Sequence, residues 1–295
     1  MPHACLLTAP AGSGKLALAK WIARYLLCDL AGADKKECNA HWFDSEEGHP
    51  DCRVLLPEGK LQVIKVDEVR ELIEQLTQTA QQGGFRVVII QGADRMNQSA
   101  SNALLKTLEE PGERTCLILL ASQLESVLPT IRSRCQHWDV SAGHEQAKIW
   151  LNTACPGQDI EFALALSQGA PLRAKEIIES EQLKLCLGFI TGIIKAEHPT
   201  VLSARMDKEL GLTPYVQWLC YWVADCIRGL QGSKPQIFVS MNIHDYARRY
   251  DLATWFQVLD RCYRGLKLSQ QPVAINQQLL LESLLIALIP LPCLE

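Results

Sequence analysis

Residues 4–16 have the sequence ACLLTAPAGSGKL. A short apolar run at residues 4–7 enters a turn rich in glycine and other small residues, and residues 16–27 then have the composition of a helix. A strand, a glycine-rich turn and a helix in this order form the unit whose backbone amides cradle phosphate groups. This stretch therefore predicts an α/β fold of the phosphate-loop type.

The phosphate-loop motif of this stretch is incomplete. The full motif is G-x-x-x-x-G-K-[ST]. Gly12, Gly14 and Lys15 are present, but Ala9 replaces the first glycine of the motif and Leu16 replaces the hydroxyl residue. That hydroxyl normally ligates Mg²⁺ beside the nucleotide phosphates, and leucine offers no ligand. Two hypotheses remain: a loop that still holds phosphate, and a fold element retained without nucleotide, which we favour.

A second position that should hold metal also lacks its ligand. Nucleotide hydrolases of this architecture carry an acidic residue at the end of a core strand to bind Mg²⁺. Residues 85–90 predict such a strand, but Gln91 and Gly92 follow it. Asp94 lies beyond the strand end and is interpreted as a turn or helix-capping residue. Because both positions have lost their ligands, we expect neither ATP nor Mg²⁺ on this chain.

Strand-like and helix-like stretches alternate in the first half of the chain. Alternation of this kind is typical of a parallel sheet with helices on both faces, and after about residue 141 the pattern becomes helical throughout. The sequence predicts strands at 4–7, 85–90, 116–121 and 136–140, with residues 28–60 irregular. We therefore predict three parts: an α/β domain at 1–141, a small helical piece at 142–182 and an all-α C-terminal domain at 183–295.

Composition and charge exclude several classes of protein. The 295 residues include 29 Lys and Arg against 33 Asp and Glu, a net charge of −4, and 48% are hydrophobic. This hydrophobic content excludes a disordered chain, and the charge balance argues against binding nucleic acid by bulk electrostatics alone. The chain start has no basic segment of the kind that begins a signal peptide, so we expect a cytoplasmic protein with reduced cysteines. Glu282 and Pro290 interrupt the apolar tail, so we expect no membrane span.

Three short sequences, which we call family strings, carry more information than the helical periodicity of their residues. They are NALLKTLEEP at residues 102–111, LPTIRSRC at 128–135 and AINQQLLL at 274–281. In this order they resemble the bacterial clamp-loader family of AAA+ proteins, and the resemblance extends from residue 4 to about residue 285. It implies that residues 1–141 form an AAA+ base domain, 142–182 a helical lid and 183–295 a collar domain for oligomerisation.

Because it lacks these metal ligands, the chain resembles the non-hydrolysing stator subunit of that family. The motor subunits, in contrast, keep a complete phosphate loop and acidic residues at the strand end. The resemblance implies that the chain is itself non-catalytic and belongs to the DNA polymerase III holoenzyme. Its implied partners are the motor (gamma/tau) and delta subunits, and the sliding clamp and primed DNA through the complex. Two alternatives stay open: an AAA+ ATPase with rearranged metal ligands, and an adaptor that uses the fold without a ring.

Arg134, in the Ser-Arg-Cys part of the second string, is the candidate functional residue. In the family this arginine reaches across a subunit boundary to the ATP of a neighbouring motor subunit, where its planar and permanently charged guanidinium faces phosphate oxygens. The resemblance therefore implies an arginine finger that acts in trans. Without the resemblance, the simpler interpretation is a surface arginine paired with a nearby carboxylate. Arg173 falls where related proteins carry a nucleotide-sensing arginine, and here we expect a structural role.

Four residues of the irregular stretch have types and spacing suited to zinc. Cys28, Cys38, His41 and Asp44 follow the pattern C-x9-C-x2-H-x2-D, and Cys, His and carboxylate groups are all competent Zn²⁺ ligands. The resemblance aligns these positions with a four-cysteine zinc module within residues 28–52. His49 or Cys52 could replace Asp44 as a ligand, and the competing interpretation is an emptied zinc loop.

Overall fold

The computed structural model describes residues 2–29, 49–57, 63–77, 85–270 and 276–289. Contacts between Cα atoms divide the chain into two compact units, residues 1–147 with 169–173, and residues 148–168 with 174–295. The first unit is built from β1 (Ala4–Thr8), α1 (Lys15–Arg24), β2 (Cys52–Leu55), α2 (Val66–Thr77), β3 (Arg86–Gln91), α3 (Gln98–Glu109), β4 (Thr115–Ala121), α4 (Pro129–Arg132) and β5 (Gln136–Asp139).

The five strands form one sheet in the order β2-β3-β4-β1-β5. Every neighbouring pair is parallel, with Leu6 opposite Leu119 and Ile89 opposite Ile118. Parallel strands need crossover connections, and the helices between them place apolar side chains on both faces of the sheet. The predicted fold class, a phosphate-loop-type parallel sheet followed by a helical C-terminal region, is confirmed.

Alternating residues of the central strands enter two separate cores. Leu6, Val88 and Leu117 belong to a core that also contains Val69 and Leu72 of α2 and Leu104 and Leu108 of α3. Their strand neighbours face the opposite side, where Leu7, Ile89 and Ile118 pack with Ala19 and Ala23 of α1. Since successive strand side chains point to opposite faces, one continuous apolar run supplies both layers.

Residues 28–60 were predicted to be irregular, and this was wrong for β2. Its four residues form the edge of the sheet beside β3. Arg53 and Val54 are exposed, so the strand has no alternating apolar pattern, and its conformation depends on backbone pairing with β3. The helix predicted at 16–27 also differs, because α1 ends at Arg24 and a π-helical turn, Tyr25–Asp29, follows.

After β5, the described residues form helices joined by turns and loops, with no further strand among them. The longest of these helices is α10 (Leu212–Leu230), of 19 residues. Trp222 of this helix is fully buried and contacts the rings of Phe238 and Tyr246. The helices after β5 are α5 (His144–Ala154), α6 (Ile160–Leu166), α7 (Pro171–Glu179), α8 (Gln182–Ile194), α9 (Pro199–Ala204), α10 (Leu212–Leu230), α11 (Ile243–Ala247), α12 (Leu252–Ser269) and α13 (Gln277–Ile286).

A buried carboxylate fixes the loop after α10. Asp225 is fully buried, and its two oxygens accept hydrogen bonds of 2.9 Å from the backbone N–H groups of Gln236, Ile237 and Phe238. Nη1 of Arg228, one helical turn later, donates a fourth bond of 2.9 Å. Such a carboxylate is tolerated in the interior because it is paired and fully hydrogen-bonded.

The division into base, lid and collar at residues 141 and 182 stays a prediction.

Across the ranges that the structure describes, no helix is long and apolar enough to span a bilayer.

Candidate functional site

The side chain of Lys15 bonds to backbone carbonyl groups of the loop between β1 and α1. Gly12 and Gly14 have φ angles of 78° and 92°, in the left-handed region that favours glycine. Nζ of Lys15 donates hydrogen bonds to the carbonyl oxygens of Ala9 (3.0 Å) and Pro10 (3.2 Å), and burial is the main cause that lowers the pKa of Lys15. The amine that contacts phosphate in a complete motif is therefore bonded to its own loop.

Arg173 and its neighbour lie directly on this loop. The N–H of Leu172 donates a 2.9 Å hydrogen bond to the carbonyl oxygen of Gly12. A Cβ placed on Gly12 would lie 2.6 Å from Cβ of Arg173 and 2.7 Å from its backbone nitrogen. Only a hydrogen atom therefore fits as the side chain at position 12. Arg173, at the position where related proteins carry a nucleotide-sensing arginine, contacts the loop through its backbone.

Asp94 joins the ends of two strands. Gly92, with φ of 84°, follows β3 and begins the 3-10 turn Ala93–Arg95. Oδ2 of Asp94 accepts a 3.0 Å hydrogen bond from the N–H of Ser122, the residue after β4. Its Oδ1 is buried and has no hydrogen-bond partner within the described parts of the chain. Asp94 lies in a turn, as expected, and its carboxylate also links β3 to β4.

Arg134 is held in a socket formed by Glu109, Thr130 and Ser133, which we call the Arg134 socket. Nε of Arg134 donates a 2.7 Å hydrogen bond to Oε1 of Glu109, and Nη2 lies 2.5 Å from the same oxygen as an ion pair. Nη1 donates to the carbonyl oxygen of Thr130 (2.9 Å) and to Oγ of Ser133 (3.2 Å). The side chain of Arg134 is 34% exposed. The cation therefore has a fixed position and remains reachable from solvent.

The electrostatics of the Arg134 socket follow from where α3 ends. Glu109 is the last residue of α3 and Glu110 is its C-cap. The C-terminus of a helix carries partial negative charge, so carboxylates there are unfavourable and cations are favourable. Arg134 supplies that cation from 25 residues further along the chain.

The residues on either side of Arg134 maintain the turn before β5. Oγ of Ser133 donates a 3.1 Å hydrogen bond to the carbonyl oxygen of Thr130. Cys135 packs against the core of the sheet, and burial raises its pKa to about 12. A thiol with this pKa stays protonated at neutral pH and is unreactive.

Sequence reasoning identified Arg134 but missed the residues that hold it. Thr130 and Ser133 are local partners within the same string as Arg134, but Glu109 lies 25 residues away in the first string, so its contact with Arg134 depends on tertiary structure. One signal was present: Glu109 and Glu110 occur together at a predicted helix C-terminus, where carboxylates are disfavoured without a nearby cation.

Most of the predicted zinc module lies outside the described residues. This holds for Cys38, His41 and Asp44, and Cys28 is described only by its backbone, in the π-helical turn. Among the residues that are described, no group of three or more His, Cys, Asp or Glu side chains could hold a metal. The zinc hypothesis stays a prediction.

The two alternative zinc ligands both have structural contacts. His49 is buried, its Nδ1 accepts a 3.0 Å hydrogen bond from the N–H of Asp51, and burial lowers its pKa. Cys52 is buried in β2, where burial raises its pKa to about 12.

Comparisons with known proteins identify the family of this chain. The family model for "DNA polymerase III, delta subunit" matches residues 1–143. The delta-prime subunit of DNA polymerase III from Haemophilus influenzae is 37% identical over 235 residues, covering 77% of this chain and 71% of that protein. The delta-prime subunit from Pseudomonas aeruginosa is also 37% identical over 235 residues, covering 77% and 72%. Among solved structures, a DNA polymerase III gamma-subunit-related protein from Thermotoga maritima is 17% identical, covering 96% of this chain and 93% of that chain, with a TM-score of 0.48. By its identity to the two delta-prime subunits over more than two thirds of their length, the chain belongs to the DNA polymerase III delta-prime subunit family.

Proposed function

We propose that this chain is the non-hydrolysing stator subunit of the DNA polymerase III clamp loader and presents Arg134 to the ATP of a neighbouring motor subunit. The observation that carries the proposal is the partial exposure of a guanidinium whose position is fixed by the Arg134 socket. Pairing with Glu109 alone would suit a simple surface arginine. Membership of the delta-prime family favours the role in trans.

The chemistry required of Arg134 is electrostatic. Charge develops on the oxygens of the γ-phosphoryl group during transfer, and a guanidinium offers several permanently charged donors in one plane to those oxygens. A preorganised donor of this kind needs no reorganisation when the reaction occurs.

Several features support the absence of ATP hydrolysis on the chain itself. Leu16 has no hydroxyl and the pair Gln91-Gly92 has no carboxylate, the two groups that hold Mg²⁺ in an active hydrolase of this type. Lys15 is bonded to its own loop, and the backbone at Arg173 lies against Gly12. Asp94, the carboxylate on which the alternative with rearranged ligands would draw, already bonds through Oδ2 to the N–H of Ser122, which leaves Oδ1 as its one oxygen for a metal.

The proposed partners are the motor (gamma/tau) and delta subunits, with the sliding clamp and primed DNA reached through the complex. The assembly surface is proposed to include α12, where Leu252, Phe256 and Tyr263 are exposed at spacings of four and seven residues and so share one side of the helix. Apolar side chains grouped in this way are typical of interaction surfaces, whereas single exposed ones are not. The net charge of −4 predicts weak DNA binding by this subunit alone.

The test is Arg134→Ala in a complex reconstituted with gamma and delta subunits, clamp and primed DNA. Arginine fingers contribute about 10³- to 10⁵-fold to turnover at the site they serve, so the ATP site beside Arg134 should be nearly inactive and clamp loading should fall. Arg134→Lys should fail similarly, because lysine keeps the charge but lacks the planar fork. Assembly should be nearly normal. Unchanged DNA-stimulated ATPase in the Ala variant would remove Arg134 from this role.

The two alternatives are tested on the protein without substitution. Calorimetric titration of the isolated chain with Mg·ATP should show no appreciable binding, and a dissociation constant in the low micromolar range would favour the ATPase alternative. Co-purification with gamma and delta subunits should yield a ring. A chain that never enters a ring would favour the adaptor alternative.

A further inference from the structure

We infer that Glu109 is a positioning residue: it holds one edge of the Arg134 guanidinium so that the opposite end can engage the phosphate of the neighbouring subunit. This inference rests on the proposed function of Arg134. It adds a residue that contacts neither nucleotide nor partner and acts only through the arginine.

The hydrogen bonds of Arg134 divide the guanidinium into two parts. The edge formed by Nε and Nη2 faces a single carboxylate oxygen, Oε1 of Glu109, with a hydrogen bond from Nε and an ion-pair contact from Nη2. Nη1, at the other end, donates only to neutral oxygens, the carbonyl of Thr130 and the hydroxyl of Ser133. Three hydrogen bonds are made, one from Nε and two from Nη1, so Nη2, which lies against Oε1 in the ion pair, keeps a donor for an incoming ligand.

The two parts should respond differently to an incoming phosphate. The carboxylate of Glu109 carries a full negative charge, whereas the carbonyl of Thr130 and the hydroxyl of Ser133 carry only partial charges, so the guanidinium is attracted more strongly to Glu109. The bonds from Nη1 to Thr130 and Ser133 should therefore exchange first, while the pair with Glu109 persists. Nη1 and the remaining donor of Nη2 would then face the phosphate together, which is the bidentate geometry that arginine offers to oxyanions.

Glu109 also limits the motion of a long side chain. An unrestrained arginine loses rotamer freedom whenever it engages a ligand, and preorganisation removes that loss at the moment of engagement. Glu109 is well placed for this task because it extends from α3, whose backbone conformation is fixed from the N-cap Asn97 to Glu109.

The experiment compares Glu109→Gln with Glu110→Gln in the reconstituted complex. Both changes remove one negative charge from the end of α3, but only Glu109 bonds to Arg134. Glu109→Gln should lower the DNA-stimulated ATPase turnover to about a third of wild type or less, with KM for ATP changed by less than about twofold. Glu110→Gln should behave as wild type. An exposed ion pair contributes little to stability, so thermal unfolding of the isolated variants should match wild type.

A double-mutant cycle separates this inference from the proposed function. In the Arg134→Ala background, Glu109→Gln should have no further effect, because a positioning residue needs the arginine on which it acts. If Arg134→Ala lowers activity but Glu109→Gln equals its Glu110 control, the positioning role is wrong and the proposed function survives. If Glu109→Gln raises activity, Glu109 competes with the phosphate and the inference is overturned. If Arg134→Ala is itself without effect, the proposed function fails.

Discussion

Both the backbone conformation and the packing at position 12 require glycine. Its φ of 78° already strains an L-residue, and its missing side chain is where Cβ of Arg173 lies. Gly14 has a comparable φ of 92°, but a Cβ there would meet no heavy atom within 4 Å. The two glycines of one loop therefore separate the conformational requirement from the steric one.

We predict that Gly12→Ala destabilises the first unit more than Gly14→Ala does. Left-handed backbone costs an alanine about 1–2 kcal/mol, which both variants incur. A contact with backbone cannot be relieved by rotating a side chain, and overpacking adds about 1–3 kcal/mol at position 12 only. Urea denaturation followed by circular dichroism measures the difference. Equal midpoints for the two variants would contradict the contact between Gly12 and Arg173.

At the same scale, the sequence predicted Arg134 but not its partners. An arginine in a specific string can be recognised by resemblance, whereas Glu109 becomes its partner only when the end of α3 and the turn before β5 meet. Asp94 was partly predictable. Its turn followed from the glycine after β3, but its bond to Ser122 depends on the adjacency of β3 and β4, which local sequence does not specify.

Among the elements, α10 and its following loop depend on a single buried carboxylate. We predict that Asp225→Asn destabilises the C-terminal unit by about 2–5 kcal/mol, because the amide cannot accept at both positions and leaves Arg228 without its counter-charge. Asp251→Asn is the matched control. Asp251 caps α12 from an exposed position, and asparagine caps helices as well as aspartate does, so thermal unfolding should be nearly unchanged.

A loss below about 0.5 kcal/mol in Asp225→Asn would contradict the role of Asp225, since such a change is typical of ordinary surface substitutions.

The elements also show where sequence patterns become insufficient. β3 and β4 are buried on both faces, so continuous apolar runs predicted them. β2 lies at the sheet edge with Arg53 and Val54 exposed, and nothing in four such residues distinguishes a strand from a loop. The end of α1 was placed too late because residues 25–27 continue its apolar composition, while the backbone changes to π-helical bonding at Tyr25.

At the scale of the whole molecule, the segment containing Cys28, Cys38, His41 and Asp44 is proposed to bind one structural zinc. Protein passed through a weak chelator should retain about one zinc per chain by elemental analysis. Cys38→Ser should lower the zinc content and the thermal stability together. Cys135→Ser, outside this segment, should keep the metal. Far less than one zinc per chain in the wild-type protein would favour the emptied loop.

The contacts at the carboxyl end of the sheet bear on whether ATP hydrolysis could be designed into this chain. In an active ATPase that edge binds a nucleotide, whereas here Lys15 bonds to Ala9 and Pro10, Asp94 bonds to Ser122, and Gly12 touches Arg173. A Leu16→Thr exchange would add a hydroxyl but leave these internal contacts in place. Given the proposed absence of hydrolysis, engineering it would therefore require several substitutions at once.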